Sequence, residues 1–481
     1  MNRIRVRPHL YILTGCVLLL LVQACAVNPV TGRRQLMLYS EQDEIAMGKQ
    51  THDQIQQQYG IYDGSELNAY VSRIGDTMTG YTHRPQLEYH FAVLDSPVVN
   101  AFAAPGGYIY VTRGILAMMN SEAELAVVLG HELGHVNARH SMSRLSNAML
   151  ASAGLAVGSV LSETFSDLAG LAGTGLQLLF LQYSRDDERE ADELGVTYAR
   201  DGKYNPAKMI DFFAALEKMG DLSGGHALPG FLSTHPLTSE RIENTRAMIT
   251  EQDQNLNIRS GDYFESIQGM VYGSDPRQGY VDGDSFYHPV LRFAFTIPTD
   301  WKVQNLPSQV IMVSPKEDAG IILKAEQSTQ DPAAYAAGKA KDYEGASLRG
   351  EQSRNINGLA AYQQIWDGTQ EDGTKLRLHL TYIQHASYIF TFMGLTSLQD
   401  YDTYALTFGV SASSFRRLTD RKYLDRQPRR IKLVTADGRQ TLQAILQREG
   451  LPKELLPRFA IINTMELDQV PERGRTIKVI R

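Results

Sequence analysis

The residues whose types and spacing could do chemistry are His131, Glu132 and His135, which form the pattern H-E-x-x-H. Residues four apart project from one face of a helix, so both imidazoles can converge on one ion. Glu132 follows the first histidine, where it can take a proton from a water that the ion holds. The pattern predicts a metal-dependent hydrolase with two histidine ligands and Glu132 as general base.

A third ligand must complete such a site, and the spacing to a third histidine of the metzincin type fails because position 141 is Ser141. Glu188 and Asp192 lie four apart on a predicted helix and share one face, which is gluzincin geometry. Glu188 would be the third ligand, while Asp192 would hydrogen-bond a ligand imidazole, that of His131. Glu190 is the competing ligand but points elsewhere on the helix. A solvated run of charges is the alternative for the whole segment.

Three segments together resemble the HtpX, BepA and LoiP-like zinc metallopeptidases, a family that includes the CAAX prenyl protease. They are His131–His135, Tyr183–Asp192 and His235–Arg241. The resemblance covers roughly residues 28–250 and is closest to the exported lipoprotein branch of the family. It implies one Zn²⁺ per chain, held by His131, His135 and Glu188.

The same resemblance concerns the segment that begins Asn100-Ala101-Phe102, which in this family lies beside the cleft. An edge strand there can pair with an extended substrate. His235, just before a proline, would lie over the cleft, where it would either occupy the metal's fourth position at rest or donate to the oxyanion of the reaction. A surface histidine is the alternative. His140 is expected on a different helical face from His135, packed or capping rather than binding metal.

The elements that must position these residues can be read from capping boxes and periodicity. Ser121 with Glu124 predicts the start of a helix that carries H-E-x-x-H and runs to about His140. A similar start at Ser40 predicts a helix over about 40–58, and apolar residues at helical spacing predict another between Leu67 and Met78. Short strands are expected over 89–94 and 108–111, and a polar helix over about 184–200. The Gly-, Ala- and Leu-rich stretch 149–180 predicts two close-packed helices, with a membrane span as the alternative.

The expected fold class is α+β, with a mainly helical gluzincin-type metallopeptidase domain that contains a small sheet. Turn-forming residues over 273–279 indicate a linker after this domain, which is placed at 25–272. Alternating short strands predict an α+β accessory domain over 285–416. Residues 428–481 resemble a small LysM-like C-terminal unit, and a plain β-α-β cap is the alternative.

The first 24 residues read as a lipoprotein signal peptide, because three arginines within the first seven residues precede an apolar run. Cys25 follows a lipobox-like tetrapeptide and is the expected site of lipid attachment, with Cys16 as the alternative. An uncleaved anchor helix is a further alternative. Ala26 after Cys25 favours an outer-membrane lipoprotein that faces the periplasm of a bacterial cell envelope. Beyond Cys25 the chain has no cysteine, so a metal site must use histidines and carboxylates.

The chain of 481 residues has a net charge of −7, which argues against a nucleic-acid partner. The predicted function is therefore a zinc-dependent metalloendopeptidase that hydrolyses internal peptide bonds of unfolded or misassembled envelope proteins, as quality control. Two alternatives from other classes remain open. One is a chaperone-like outer-membrane assembly factor with a restrained protease site, and the other is a cell-wall lipoprotein that binds peptidoglycan.

Overall fold

A computed structural model describes residues 25–156, 182–222, 230–370 and 373–481 of the chain. The predicted signal peptide and the predicted second helix of the stretch 149–180 lie outside the described residues. Two compact units are present. Of the described residues, the first unit comprises residues 25–56, those within 60–273 and 430–481, and the second comprises residues 57–59 and those within 274–429. Both units mix helices and strands, so the α+β class is confirmed.

The first unit is mainly helical. Its helices before residue 273 are α1 Glu41–Tyr59, α2 Ser65–Thr79, α3 Arg113–Met118, α4 Glu122–Asn137, α5 His140–Ala156, α6 Arg185–Asp201, α7 Lys208–Leu222, α8 Phe231–Thr234, α9 Ser239–Met248 and α10 Ser260–Ile267. Its strands there are β1 Cys25–Val27, β2 Arg34–Leu36, β3 His90–Leu94, β4 Ala101–Ala104 and β5 Tyr108–Thr112. The helices predicted after Ser40 and over 67–78 are thus confirmed as α1 and α2. In the described part of the chain no helix is long and apolar enough to cross a membrane.

Helix α4 is the centre of this unit, because every one of its residues is buried. It begins as predicted, with the Ser121 hydroxyl accepting from the Glu124 amide at 3.2 Å. Its predicted end at about His140 is wrong, since α4 stops at Asn137. Arg139 has a left-handed backbone with φ of 56°, which breaks the helix, and His140 begins α5 in a new direction. The Arg139 guanidinium holds this turn by donating to Glu44 Oε2 at 2.7 Å.

The small sheet has the order β3-β5-β4. Strands β3 and β5 are parallel, and β4 is antiparallel to β5, with Phe102 opposite Tyr110. Strand β4 is therefore an edge strand, and it contacts α4.

Residues 428–481 are predicted to form a separate unit, but residues 430–481 pack into the core of the first unit. They form β17 Ile431–Thr435, α14 Leu442–Arg448, α15 Leu456–Ile462 and β18 Thr476–Ile480, with β17 antiparallel to β18. Ile431, Phe459 and Ile477 belong to the same hydrophobic cluster as residues of α2 and α4. Lys478 is fully buried and donates to the carbonyls of Ala117 and Met119 at 2.9 and 2.7 Å, at the end of α3. The ammonium thus satisfies carbonyls that the helix leaves without partners.

The second unit is built on a seven-stranded antiparallel sheet of order β12-β13-β14-β15-β11-β10-β9. Its strands are β6 Tyr280–Asp282, β7 Ser285–His288, β8 Phe293–Thr296, β9 Lys302–Leu306, β10 Gln309–Val313, β11 Ala319–Gln327, β12 Ser347–Ile356, β13 Leu359–Thr369, β14 Lys375–His385, β15 Tyr388–Ser397 and β16 Arg416–Arg417. Its helices are α11 Pro332–Lys339, α12 Tyr401–Ser413 and α13 Arg421–Leu424. A smaller sheet has the order β16-β8-β7-β6. Helix α12 lies against β14, β15 and β8.

Candidate metal centre

Two of the predicted ligands come from α4. His131 and His135 are one turn apart and both are 1% exposed. Their Nε2 atoms face each other at 3.1 Å, so both imidazoles present the same nitrogen to one point. The fully buried helix fixes this point, because neither ring can turn towards solvent.

Helix α6 brings the carboxylate ligand to the same point. The two helices approach closely because glycines lie between them: a Cβ at Gly130 would be 3.0 Å from the carbonyl oxygen of Gly195. A Cβ at Gly134 would similarly be 3.1 Å from Cα of Ala191. This contact places Glu188 Oε1 3.6 Å from His135 Nε2. Larger residues at these positions would separate the ligands.

His235 lies in the same cluster. It follows α8, is fully buried, and stacks on Phe231 with ring centroids 4.6 Å apart. Its Nδ1 is 3.3 Å from His131 Nε2 and 2.8 Å from Glu188 Oε1. Ligand atoms of His131, His135, Glu188 and His235 all lie within 4.8 Å of one another, and these four residues could hold a metal ion.

The charge of Glu188 suits a ligand. Burial would raise its pKa, but His235, His135 and His131 together hold the pKa well below its usual value. The carboxylate is therefore ionised, and its Oε2 also receives an ion pair from Arg241 Nη1 at 2.6 Å.

Asp192 supports one of the histidines. Its Oδ1 is 2.9 Å from His131 Nδ1, the nitrogen that faces away from the cluster. A proton on Nδ1 leaves the lone pair of Nε2 free for a metal. Arg241 donates two hydrogen bonds to the same carboxylate, from Nε to Oδ2 and from Nη2 to Oδ1, both at 2.7 Å. One buried guanidinium thus orients both Asp192 and Glu188.

His140 supports the other histidine, which sequence reasoning missed. Its Nδ1 is 2.9 Å from His135 Nδ1, and its Nε2 is 3.5 Å from carboxylate oxygens of Asp187 and Glu190. Tyr183 stacks on the His135 ring at 3.8 Å. Glu190 therefore contacts His140, and it is not among the four residues whose ligand atoms converge.

Glu132 lies beside the cluster with no exposure to solvent. Burial raises the pKa of its carboxyl group, against the lowering effects of His235 and His131 and of the backbone of Ala103 on the edge strand β4. Its Oε1 is 3.7 Å from His235 Nε2. A carboxylate with a raised pKa, next to a cluster of candidate metal ligands and an edge strand, has the properties of a general base.

The predicted cleft residues lie along that strand. Ala101 and Phe102 are in β4, and Asn100 precedes them with its amide donating to Thr112 Oγ1 at 3.1 Å. Phe231, four residues before His235, donates its amide to the carbonyl of Val99 at 2.9 Å. The segment that carries His235 is thus attached to the start of the edge strand.

Comparison with known proteins agrees with this geometry. The model of peptidase family M48 matches residues 65–249, which span β4, the H-E-x-x-H helix, Glu188 and His235. Residues 65–249 form a peptidase family M48 domain. The recognition of this family from three motifs is confirmed.

Curated proteins with similar sequences each match less than half of the chain. The "Beta-barrel assembly-enhancing protease" of Yersinia pestis is 30% identical over 231 residues, covering 45% of this chain and 46% of that protein. The "Mitochondrial metalloendopeptidase OMA1" of Schizosaccharomyces pombe is 29% identical over 235 residues, covering 46% of this chain and 66% of that protein. The protein of the same name from Arabidopsis thaliana is 35% identical over 162 residues, covering 33% and 31%. The chain thus spans less than two thirds of the length of these relatives.

Proposed function

We propose that this chain is a zinc-dependent metalloendopeptidase. The observation that carries the proposal is the convergence of His131, His135 and Glu188 on one buried point beside Glu132. Ligands about 2.0–2.1 Å from a tetrahedral zinc ion lie roughly 3.3 Å from one another. The separations of 3.1 Å between the two histidines and 3.6 Å between His135 and Glu188 match that requirement.

The residues of the chain divide the chemistry among them. Zinc, when bound, acidifies a water and polarises the carbonyl of the scissile peptide bond. Glu132 takes the proton of the attacking water and passes it to the leaving amine, for which a raised pKa is suited. Backbone groups of β4 hold the extended substrate, with Asn100, Ala101 and Phe102 along its path. Hydrolysis then needs no covalent intermediate with the protein.

His235 restrains the site at rest. Its Nδ1 lies among the candidate ligand atoms, 3.3 Å from His131 Nε2 and 2.8 Å from Glu188 Oε1, which supports the role of a plug over that of an oxyanion donor. His235→Ala should therefore raise basal proteolysis, including self-cleavage. A drop in turnover of about 10²–10³-fold would instead indicate the oxyanion role. Unchanged proteolysis with unchanged zinc content would remove His235 from the site.

The substrates are unfolded or misassembled proteins of the cell envelope. The names of the bacterial relatives support a role in the assembly of β-barrel proteins. A chaperone-like activity is separable by Glu132→Gln. That variant should lose turnover of a client, and if it also keeps the client bound, the chain has both activities.

A lipid on Cys25 would anchor the chain to the outer membrane, facing the periplasm. The targeting pattern before Cys25 supports this proposal. Cys25→Ser should abolish labelling by radioactive palmitate and move the protein to the periplasmic fraction with its activity intact. Label that persists in Cys25→Ser and disappears in Cys16→Ser would assign the lipid to the other cysteine.

Residues 428–481 are proposed to be a LysM-like unit that binds peptidoglycan. Two helices between paired strands, where a plain β-α-β cap has one, support this assignment over the cap. Because these residues share the core of the first unit, sedimentation with purified peptidoglycan should use the full chain. Failure to sediment would exclude the proposal.

The decisive experiment for the central proposal combines metal analysis with casein degradation. Wild type and Glu132→Gln should both contain one zinc per chain, and only wild type should cleave casein. Wild type without stoichiometric zinc would refute the proposal, as would equal cleavage by both proteins.

A further inference from the structure

The second unit has a free sheet edge beside a cavity. Strand β12 ends the seven-stranded sheet, and its residues from Ser347 to Asn355 are all exposed. In the described part of the chain, no strand pairs with its outer side. An exposed edge of this kind can accept another strand.

The hairpin after β12 determines which backbone groups are free. Asn357 and Gly358 have φ of 51° and 81° and connect Ile356 to its partner Leu359, as in a two-residue type I′ turn. The closing pair of such a hairpin is hydrogen-bonded, and hydrogen-bonded pairs alternate along antiparallel strands. Residues 352, 354 and 356 therefore bond to β13, while 351, 353 and 355 direct their N–H and C=O groups outwards.

A cavity of about 440 Å³ lies on one face of the sheet next to this edge. Side chains of β12, β13, β14 and α12 line it: Gln352, Arg354, Ile356, Gln363, Ile365, His379, Thr381, Ala405, Leu406, Gly409, Val410 and Ser413. The β12 residues among them alternate along the strand and so share one face. A strand added to β12 would place every second side chain on that same face.

The cavity has apolar walls and a polar floor. Leu406 and Val410 on α12 are 77% and 55% exposed, although both are large apolar residues. At the floor, the Thr381 hydroxyl is buried without a hydrogen-bond partner among the described residues. His379 beside it already contacts Tyr401 and Gln363. An unpaired buried hydroxyl is costly unless a ligand satisfies it.

The geometry points to β12 as a docking site for an extended polypeptide segment that inserts a tyrosine side chain into this cavity. Main-chain hydrogen bonds to residues 351, 353 and 355 hold the segment, and the cavity selects the side chain. Tyrosine combines an apolar ring for the walls with a hydroxyl for Thr381. The β-bulge between Leu348 and Gly350 limits the pairing to about six residues, which suits a short unfolded segment better than a second copy of the whole strand.

This inference rests on the proposed function for the source of the peptide, an unfolded client. Binding is measured on the full chain with Glu132→Gln, so that hydrolysis plays no part. A failure of binding therefore leaves the casein result untouched, and a failure of hydrolysis leaves the docking site untouched.

The probes are fluorescein-labelled peptides Gly-Ser-Thr-Tyr-Thr-Ser-Gly and its Phe and Ala analogues, followed by fluorescence anisotropy. The Tyr peptide should bind about threefold to tenfold more tightly than the Phe peptide, because it gains one hydrogen bond, and the Ala peptide should bind most weakly. Thr381→Val should lower the affinity for the Tyr peptide to that for the Phe peptide. A Cβ at position 409 would meet open space, so Gly409→Leu should fill the cavity and weaken binding of both the Tyr and the Phe peptide.

The edge itself is tested by a matched pair. Ser353→Pro removes an outward N–H, which edge strands tolerate, and should raise Kd about tenfold or more. Ser353→Ala keeps the N–H and should bind like the parent protein, and thermal unfolding checks that both variants fold. Equal binding by the two variants would overturn the inference, as would absence of binding at millimolar peptide. Concentration-dependent dimers that Ser353→Pro abolishes would assign the edge to a second copy and overturn it as well.

Discussion

Replacing Asp192 by alanine should weaken zinc binding through two effects of the same sign. The carboxylate accepts from His131 Nδ1 at 2.9 Å and from Arg241 at 2.7 Å on each oxygen. Without it, His131 loses the partner that fixes its tautomer, and the Arg241 charge near the cation keeps only its ion pair with Glu188. Loss of such a supporting partner costs about 10–100-fold in metal affinity.

The same change should destabilise the metal-free protein. Both Asp192 and Arg241 are almost completely buried, at 2% and 6% exposure. Removing one partner of a buried ion pair costs about 3–5 kcal/mol, because the remaining charge has no compensation. Here Arg241 keeps its ion pair with Glu188, so we expect the lower end of that range. Asp192→Ala with Arg241→Met should recover part of the lost stability, since the buried guanidinium that lost one of its two carboxylate partners is then removed.

The assays are competition for zinc with a chromophoric chelator and urea unfolding of the metal-free proteins. Asp186→Ala is the matched control, because Asp186 is on the same helix but its side chain is 87% exposed and pairs with Arg189 at the surface. An exposed pair contributes about 0–1 kcal/mol, and its loss should leave zinc affinity unchanged. Zinc affinity of Asp192→Ala within about twofold of wild type would refute the reasoning about His131 and Arg241.

Burial lowers the pKa of Lys478 from 10.5 to about 7. Between these two pH values the folded chain holds fewer protons than the unfolded chain, so the free energy of unfolding rises with pH. Urea unfolding of wild type at pH 7–9 should show this rise, and Lys478→Met should not. His140→Ala should lower zinc affinity by about tenfold, while His140→Gln, whose oxygen accepts from His135 Nδ1, should restore most of it in the chelator assay. Gly195→Val should separate α6 from α4, since a Cβ there would lie 3.0 Å from a backbone nitrogen of the H-E-x-x-H helix. Zinc content should fall, and the free energy of unfolding should decrease by about 1–3 kcal/mol. Gly220→Val, at an open helix position, is the control and should leave zinc content unchanged.

The parts of the site that follow helical periodicity could be read from the sequence. The spacing of His131 and His135, and of Glu188 and Asp192, placed each pair on one face, and the structure brings these faces together. Gly130, Gly134 and Gly195, which allow this approach, carry no signal of that role in the sequence. Their role depends on the neighbouring helix, which local patterns do not show.

The supporting contacts were beyond sequence reasoning for a similar reason. His140 was expected on another helical face because α4 was extended through it, but the left-handed Arg139 turns the chain and returns His140 to His135. A positive φ is uncommon at an arginine, so the sequence around Arg139 does not predict it. Arg241 reaches Asp192 from 49 residues away, and such a distance carries no periodic signal. The resemblance included Arg241 in its motif without indicating what it binds.

The core of the first unit is built from residues that are synthesised early and residues that are synthesised last. Strand β18, with Ile477 and Lys478, is made only after the whole second unit, yet it completes the packing around α2, α3 and α4. A ribosome that has released residue 273 has therefore produced both histidines, Glu132 and Glu188, but not the residues that close the core around them. Contacts between residues so far apart in sequence also slow folding, because a long loop must close before they can form. A nascent or truncated chain would accordingly carry the H-E-x-x-H motif and Glu188 without a stable fold around them, and the candidate metal centre would be stably held only when residues 430–481 have joined the fold.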